Sequence, residues 1–213
     1  MLTVHHLGIS QSERIVWLCE ELNISYQLVK YERDPITGLA PETYKVLHPY
    51  GTAPVITDGD ITLGESGAII QYIIARYGEN RLIVDSKSPH FPDYLYWFHF
   101  ANASLMASSM VEMAFSSITE IENNGILKIF QERSLRAFLM IEERLSSNRY
   151  FAGNEFSAAD IMMFFPLATM RCFISRDISK YPSLKKYLKS ISERPAWQRA
   201  KEVADPDLQL KLN

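Results

Sequence analysis

The sequence predicts a two-part molecule, an α/β layer followed by an all-α domain. Two observations carry that prediction. Up to about residue 82, short β-type runs alternate with helical patterns, and beyond residue 91 no convincing strand remains. Between them "IVDSKSPHF" gathers turn formers and Pro89 and reads as a linker. The expected boundaries are 1–82 for the α/β domain, 83–91 for the linker and 92–213 for the helical domain.

The elements of the first part follow in order. "LTVHHL" reads as a strand, and Ile15, Leu18, Cys19 and Leu22 then fall on one helical face. "YQLVKY" is a second strand, completing a βαβ unit over residues 2–31. A turn-rich stretch follows, with one short helix expected around Pro41–Leu47. "APVIT" and "ITLG" are strands separated by Asp58-Gly59-Asp60, a hairpin signal. Ile69, Ile70, Ile73, Ile74 and Tyr77 line a further helix, stopped by Gly78. The order β-α-β, then β-β-α, is the plan of a thioredoxin-like layer.

In the second part, Leu127, Phe130, Ser134, Phe138, Ile141 and Leu145 form a helical stripe. "FSAADIMM" is a helix start, with Ser157 as N-cap, Asp160 at N3, and Phe156 and Ile161 at the staple positions. "YPSLKKYLKSISERPAW" is another helix, with Pro182 at its start and Pro195 read as its end.

Several chemistries are disfavoured. A net charge of −3 offers no electrostatic case for nucleic acid or an anionic membrane. The longest apolar stretch, "IMMFFPLATM", is too short to span a bilayer. The chain opens in a strand-like run with no basic or apolar leader pattern, and its two cysteines form no C-x-x-C; both suit a reducing cytoplasm. His5 and His6 are adjacent and point to opposite strand faces, and His48, His90 and His99 are scattered, so no metal site is expected. "LGISQSER" has one glycine where a nucleotide cradle needs several, and "GESGA" lacks the final glycine of a nucleophile elbow.

Three features converge instead. Ser10 and Ser12 place hydroxyls at the start of the first helix, Pro54 opens a strand after "HPYGT", and Glu65-Ser66 begins the next helix. With "HPYGTAPVITD", "LGESGAIIQYIIARYG", "WFHFANASLMASSM" and "FSAADIMM" in this order, essentially the whole chain resembles the cytosolic glutathione S-transferases, in particular bacterial and fungal serine-type members.

The resemblance implies glutathione as co-substrate, no metal, a small hydrophobic electrophile as second substrate, glutathione peroxidase activity as a companion reaction, a detoxifying role and a homodimer. It implies a cis bond before Pro54, with Thr52 and the Ala53 backbone meeting glutathione. It places the γ-glutamyl carboxylate at Ser66 and the α-ammonium at Glu65, where an unpaired helix start favours negative charge. Ser10 matches the thiolate-stabilising serine and Ser12 competes for that role. Leu7, Ile9, Tyr96, Phe100, Met106 and Met110 are the expected electrophile contacts, placed between the domains. For the glycine-end carboxylate, Gly51 and Thr52 stand where many relatives carry Lys, His or Gln, leaving Lys45 or His48 as candidates. Two other readings keep the fold: a binding or regulatory module with little catalysis, and a disulfide reductase, which would want a cysteine nearer the first helix start than Cys19.

Overall fold

The computed structural model describes residues 1–116 and 124–212. The contacts divide into two units, Met1–Ile83 with Ser192–Gln209, and Val84–Ile191 with Leu210–Asn213.

The first unit is built on a four-stranded sheet ordered β2-β1-β3-β4. Its strands are β1 (Leu2–Leu7), β2 (Gln27–Tyr31), β3 (Val55–Asp58) and β4 (Ile61–Gly64). β1 runs parallel to β2 and antiparallel to β3, and β3 pairs antiparallel with β4. The helix α1 (Glu13–Leu22) supplies the crossover a parallel pair requires, α2 (Glu42–Lys45) is a single turn, and α3 (Ser66–Tyr77) ends at Gly78. Ile15, Leu18, Cys19 and Leu22 of α1 and Ile69, Ile70, Ile73 and Ile74 of α3 are all buried. The hydrophobic stripes read from the sequence are thus core faces.

One helix of this unit comes from the far end of the chain. α9 (Pro195–Ala204) packs on α1, with Trp197 set edge-on to Trp17 at 5.2 Å between ring centroids. Arg194 grips Glu21 with two bonds of 2.7 and 2.9 Å, and Arg199 Nε meets Glu20 at 2.9 Å. The contacts therefore group Ser192–Gln209 with the α/β layer and not with the rest of 92–213. Pro195 was expected to end a helix. It occupies the first turn of α9 instead, where a missing N–H costs nothing.

The second unit contains α4 (Phe91–Phe100), a π-helical turn (Ala101–Met106), α5 (Ala107–Ser116), α6 (Gly125–Ser147), α7 (Ala158–Leu167), a 3-10 turn (Thr169–Cys172) and α8 (Pro182–Ser192). α7 is buried on every side, which explains why its sequence is apolar without a polar face. Its first turn carries the expected capping box, Asp160 accepting the Ser157 N–H at 2.9 Å. Asp160 also accepts from the Phe151 N–H (3.0 Å) and the Tyr187 hydroxyl (3.1 Å), tying three segments together. On α6, Ser134, Phe138, Ile141 and Leu145 are buried, while Leu127 and Phe130 are only half-buried near its start. Among the described residues, no helix is long and apolar enough to cross a membrane.

Candidate functional site

The loop from β1 to α1 is under unusual constraint. Ile9 has φ +47°, a left-handed conformation that a β-branched side chain disfavours. Three contacts hold it there. Asp205 Oδ1 accepts the Ile9 N–H at 3.0 Å, and the Arg33 guanidinium donates to the carbonyls of Gly8 (2.8 Å) and Ile9 (3.2 Å). The path fixed by Ile9 decides where the two serines face.

Ser12 is the N-cap residue of α1, yet its side chain makes no capping bond. Its hydroxyl turns back to the strand, 2.9 Å from His6 Nδ1, and accepts the Leu7 N–H at 3.2 Å. Ser10 Oγ lies 2.7 Å from Ser12 Oγ and accepts the Ser12 N–H at 3.2 Å. The amides of Glu13, Arg14 and Ile15 are satisfied by the carbonyls of Ser10, Gln11 and Ser12. Ser12 is fully enclosed, whereas Ser10 keeps 6 % exposure. On the far side of His6, Nε2 lies 3.1 Å from Asp205 Oδ2. Burial pulls the Asp205 carboxyl up, but the contacts with His6 and the Ile9 N–H outweigh it and hold the pKa below the ordinary range.

The order Asp205, His6, Ser12 has the outline of a nucleophile triad, but Ser12 is sealed from solvent and cannot attack a substrate. His5 faces the other way, near Thr57 Oγ1 (3.1 Å) and the Tyr31 hydroxyl (3.2 Å), as strand alternation requires. Among the described residues, no group of three or more His, Cys, Asp or Glu side chains could hold a metal ion.

At the second helix start, Glu65 is exposed with φ +68° and ψ +119°, and it caps α3 without a side-chain bond. Ser66 is buried, and its hydroxyl accepts from Arg14 Nη1 at 3.1 Å. Arg14 is itself fully enclosed, and Nη1 also donates to Gln11 Oε1. Burial draws its guanidinium pKa down to about 9, against the opposing pull of Glu13, so it remains charged at neutral pH. Arg14 thus links the first turn of α1 to the first residue of α3. The Ala53–Pro54 bond is cis, Thr52 is exposed, Ala53 is half-buried and Pro54 is buried.

The other expected residues scatter more widely. Leu7 packs with Tyr44 and Val55 in the core of its unit, and Met106 packs with Phe165 and Met170 in the core of the other. Tyr96 is exposed and stacks on Phe100 at 5.4 Å, and Met110 is exposed one turn beyond the π-helical stretch. Phe100 lines a cavity of about 310 Å³ with Ser104, Phe130 and Met140. The Lys45 ammonium pairs with Glu42 at 2.6 Å while its stem flanks Gly51. His48 Nδ1 accepts the Tyr50 N–H at 3.3 Å, and its ring covers Gly64 closely enough that a Cβ there would meet Cε1 at 3.3 Å. Cys19 is buried, and desolvation with Glu20 pushes its thiol up to about 12, which disqualifies it as a redox thiolate.

Sequence reasoning missed His6 and Asp205. Asp205 had no local signal, because it joins the site only through the docking of α9 onto α1.

The sheet order, the cis-proline entering β3 and the two polar helix starts define a thioredoxin-like domain, carried on one chain with a helical domain. Residues 5–81 match the glutathione S-transferase N-terminal domain family, and residues 107–195 match the C-terminal domain family. The chain is 35 % identical to glutathione S-transferase 3 of Schizosaccharomyces pombe, over 96 % of this chain and 88 % of that protein. It is 28 % identical to glutathione S-transferase 1 of Saccharomyces cerevisiae, over 96 % and 95 % of the two chains. A crystal structure of a glutathione S-transferase from Actinobacillus pleuropneumoniae matches with a TM-score of 0.87 at 33 % identity, covering 96 % of this chain and 93 % of that one. The chain belongs to the cytosolic glutathione S-transferase family.

Proposed function

We propose that this glutathione transferase binds glutathione at the starts of α1 and α3, stabilises its thiolate with the Ser10 hydroxyl, and transfers the sulfur to a small hydrophobic electrophile. The observation that carries the choice of Ser10 is the contrast between two neighbouring hydroxyls. Ser12 is enclosed and committed to His6 and Leu7, while Ser10, though buried, keeps 6 % exposure at the outer end of the same line.

The energetics are modest. A free thiol with pKa about 8.5 is roughly 3 % ionised at neutral pH. Lowering it by two units needs about 2.7 kcal/mol of differential interaction, within reach of one charge-assisted hydrogen bond and a helix end. Full ionisation raises thiolate roughly 30-fold, and reduced basicity takes back part of that gain. The rest of the acceleration comes from holding the electrophile beside the sulfur.

For glutathione, Ser66 offers a hydroxyl already oriented by Arg14, and Glu65 offers an exposed carboxylate to the α-ammonium. Thr52 and the Ala53 backbone, leading into Pro54, meet the cysteinyl portion. Lys45 or His48 takes the glycine-end carboxylate. Leu7, Ile9, Tyr96, Phe100, Met106 and Met110 are kept as candidate electrophile contacts, Leu7 and Met106 lying in the cores of their own units. Peroxide reduction by the same thiolate, a detoxifying role, a homodimer and a cytoplasmic setting complete the reading.

The test pairs retention on immobilised glutathione with turnover of a generic aryl halide. Wild type should show both, and Ser10→Ala should keep retention while losing most turnover. Retention without turnover in wild type would mark a binding module, and undiminished turnover in Ser10→Ala would remove Ser10 from the chemistry.

A further inference from the structure

The line from the buried Ser10, Ser12 and His6 to the half-buried Asp205 is more than the serine reading requires. Ser12 also ties the end of β1 through the Leu7 N–H and carbonyl, but that duty does not call for a histidine beside it. Here each oxygen and nitrogen has a partner at hydrogen-bonding or ion-pair distance: Ser10 Oγ to Ser12 Oγ 2.7 Å, Ser12 Oγ to His6 Nδ1 2.9 Å, and His6 Nε2 to Asp205 Oδ2 3.1 Å. Exposure is 6 % at Ser10, none at Ser12 and 1 % at His6, and rises again at the half-buried Asp205, which lines a cavity with His6.

We infer that His6, paired with Asp205, accepts the proton of the glutathione thiol through the hydroxyls of Ser10 and Ser12, so that thiolate and imidazolium form together. The inference rests on Ser10 being the residue that meets the sulfur. It makes His6, Ser12 and Asp205 positioning residues, since none of them touches the thiol.

Proton directions follow from the donors available. The Asp205 carboxylate lies 3.1 Å from His6 Nε2, out of hydrogen-bond alignment, and its charge favours the Nε2–H tautomer, which leaves Nδ1 as acceptor. Ser12 then donates to His6 Nδ1 at 2.9 Å, the shorter of its two acceptor contacts beside the Leu7 carbonyl at 3.3 Å, and Ser10 donates to Ser12. In this resting state the Ser10 proton points inward and cannot serve a thiolate. When a thiol docks on Ser10 Oγ, the S–H bond breaks and its electron pair stays on sulfur. The proton passes to Ser10, the Ser10 proton to Ser12, and the Ser12 proton to His6 Nδ1. Each hydroxyl ends reversed, with Ser10 donating to the thiolate, the imidazolium donating from Nδ1 to Ser12, and the Asp205 charge 3.1 Å from Nε2. No charge enters or leaves the site.

Asp205 is the carboxylate in contact with His6, and Lys30, Glu32 and Arg33 from β2 and its exit, with Asp207 from the tail, line the adjoining cavity of about 370 Å³. Arg33 and Lys30 are engaged with backbone carbonyls of Gly8, Ile9 and Val203. Tyr31 closes the same wall. Glu13 and Arg14 belong to α1 beyond Ser12.

The experiment measures two quantities on the intact wild-type protein. Thiolate formed on binding glutathione is read by ultraviolet difference absorbance. Protons released to solvent are read by calorimetry in buffers of different ionisation enthalpy. The relay predicts thiolate with close to no proton released, because the proton stays on His6. One proton released per thiolate would overturn it. His6→Asn keeps a hydrogen-bonding partner for Ser12 but cannot hold the proton. It should raise the thiol pKa and shift the acid limb of kcat/KM upward, with the KM for glutathione little changed. Asp205→Asn retains an acceptor for the Ile9 N–H yet presents an amide N–H to His6 Nε2, forcing the other tautomer, and should shift the same limb. An unshifted profile in both variants would also overturn the relay. If Ser10→Ala forms as much thiolate as wild type, the serine reading fails first and the relay with it; if Ser10→Ala loses thiolate while wild type releases a full proton, the relay alone fails.

Discussion

Ser66→Ala separates glutathione binding from fold stability at one buried hydroxyl. Ser66 is 1 % exposed and accepts from Arg14 Nη1 at 3.1 Å. Removing the hydroxyl takes one acceptor from a buried guanidinium, and leaving a buried donor unpaired costs about 1–3 kcal/mol. Nη1 still donates to Gln11 Oε1, so the stability loss should sit at the lower end, near 1 kcal/mol. The loss in binding is larger. A hydroxyl donating to the γ-glutamyl carboxylate is a bond to a charged group, about 1.5–3 kcal/mol, or roughly a 10- to 150-fold rise in Kd. This anchor is remote from the sulfur and serves ground and transition state alike, so kcat at saturating glutathione should hardly change. Titration calorimetry for Kd, urea unfolding for stability and steady-state kinetics for kcat read the three quantities. A folded Ser66→Ala protein with wild-type affinity would refute the placement of glutathione at the start of α3.

Three further expectations are independent of that one. Glu65→Gly should relieve the backbone at φ +68° and raise stability by about 1 kcal/mol, while losing about tenfold in glutathione affinity if the carboxylate meets the ammonium; thermal melts with and without glutathione separate the two effects. Trp197→Ala should destabilise the protein by about 3–5 kcal/mol, because it empties the fully buried contact between α9 and α1; a loss under 1 kcal/mol in urea would contradict the assignment of α9 to the α/β unit. Hydrogen bonds from Tyr77 and Tyr72 hold the Asp58 pKa below the usual carboxylate range. Its stabilising contribution is therefore complete above pH about 4 and is lost as pH falls through the lowered folded-state pKa. Asp58→Asn should flatten that part of the acid-unfolding profile, and an unchanged acid limb would show that the tyrosines contribute nothing through this group.

What was legible in the sequence was whatever repeats locally. Apolar faces at helical spacing became the buried faces of α1, α3 and α6, and the Asp58-Gly59-Asp60 turn joined β3 to β4. The capping box at Ser157 was visible because its two halves lie three residues apart. The rest depended on chain path or tertiary docking. "WFHFANASLMASSM" is apolar enough to read as one helix, and nothing in it announces the π-helical turn that divides α4 from α5. Pro195 is equally at home ending one helix or opening another, and only the packing of Trp197 on Trp17 distinguishes the two. Ser10 is preferred over Ser12 only by its match to the family serine, and nothing local in the sequence says which way either hydroxyl points. The left-handed turn at Ile9, held by Asp205 and Arg33, precedes one hydroxyl turned inward to His6 and another that is buried but keeps 6 % exposure.

The central claim is that a hydroxyl at the start of α1 holds another molecule's sulfur anion, and the pKa of the bound glutathione thiol in wild type and Ser10→Ala tests it most directly. Ultraviolet titration of the complex should give a wild-type value well below the free-thiol value of about 8.5, rising by about one to two units in Ser10→Ala. A wild-type thiol titrating as it does in water, or a Ser10→Ala complex titrating as wild type does, would contradict the account.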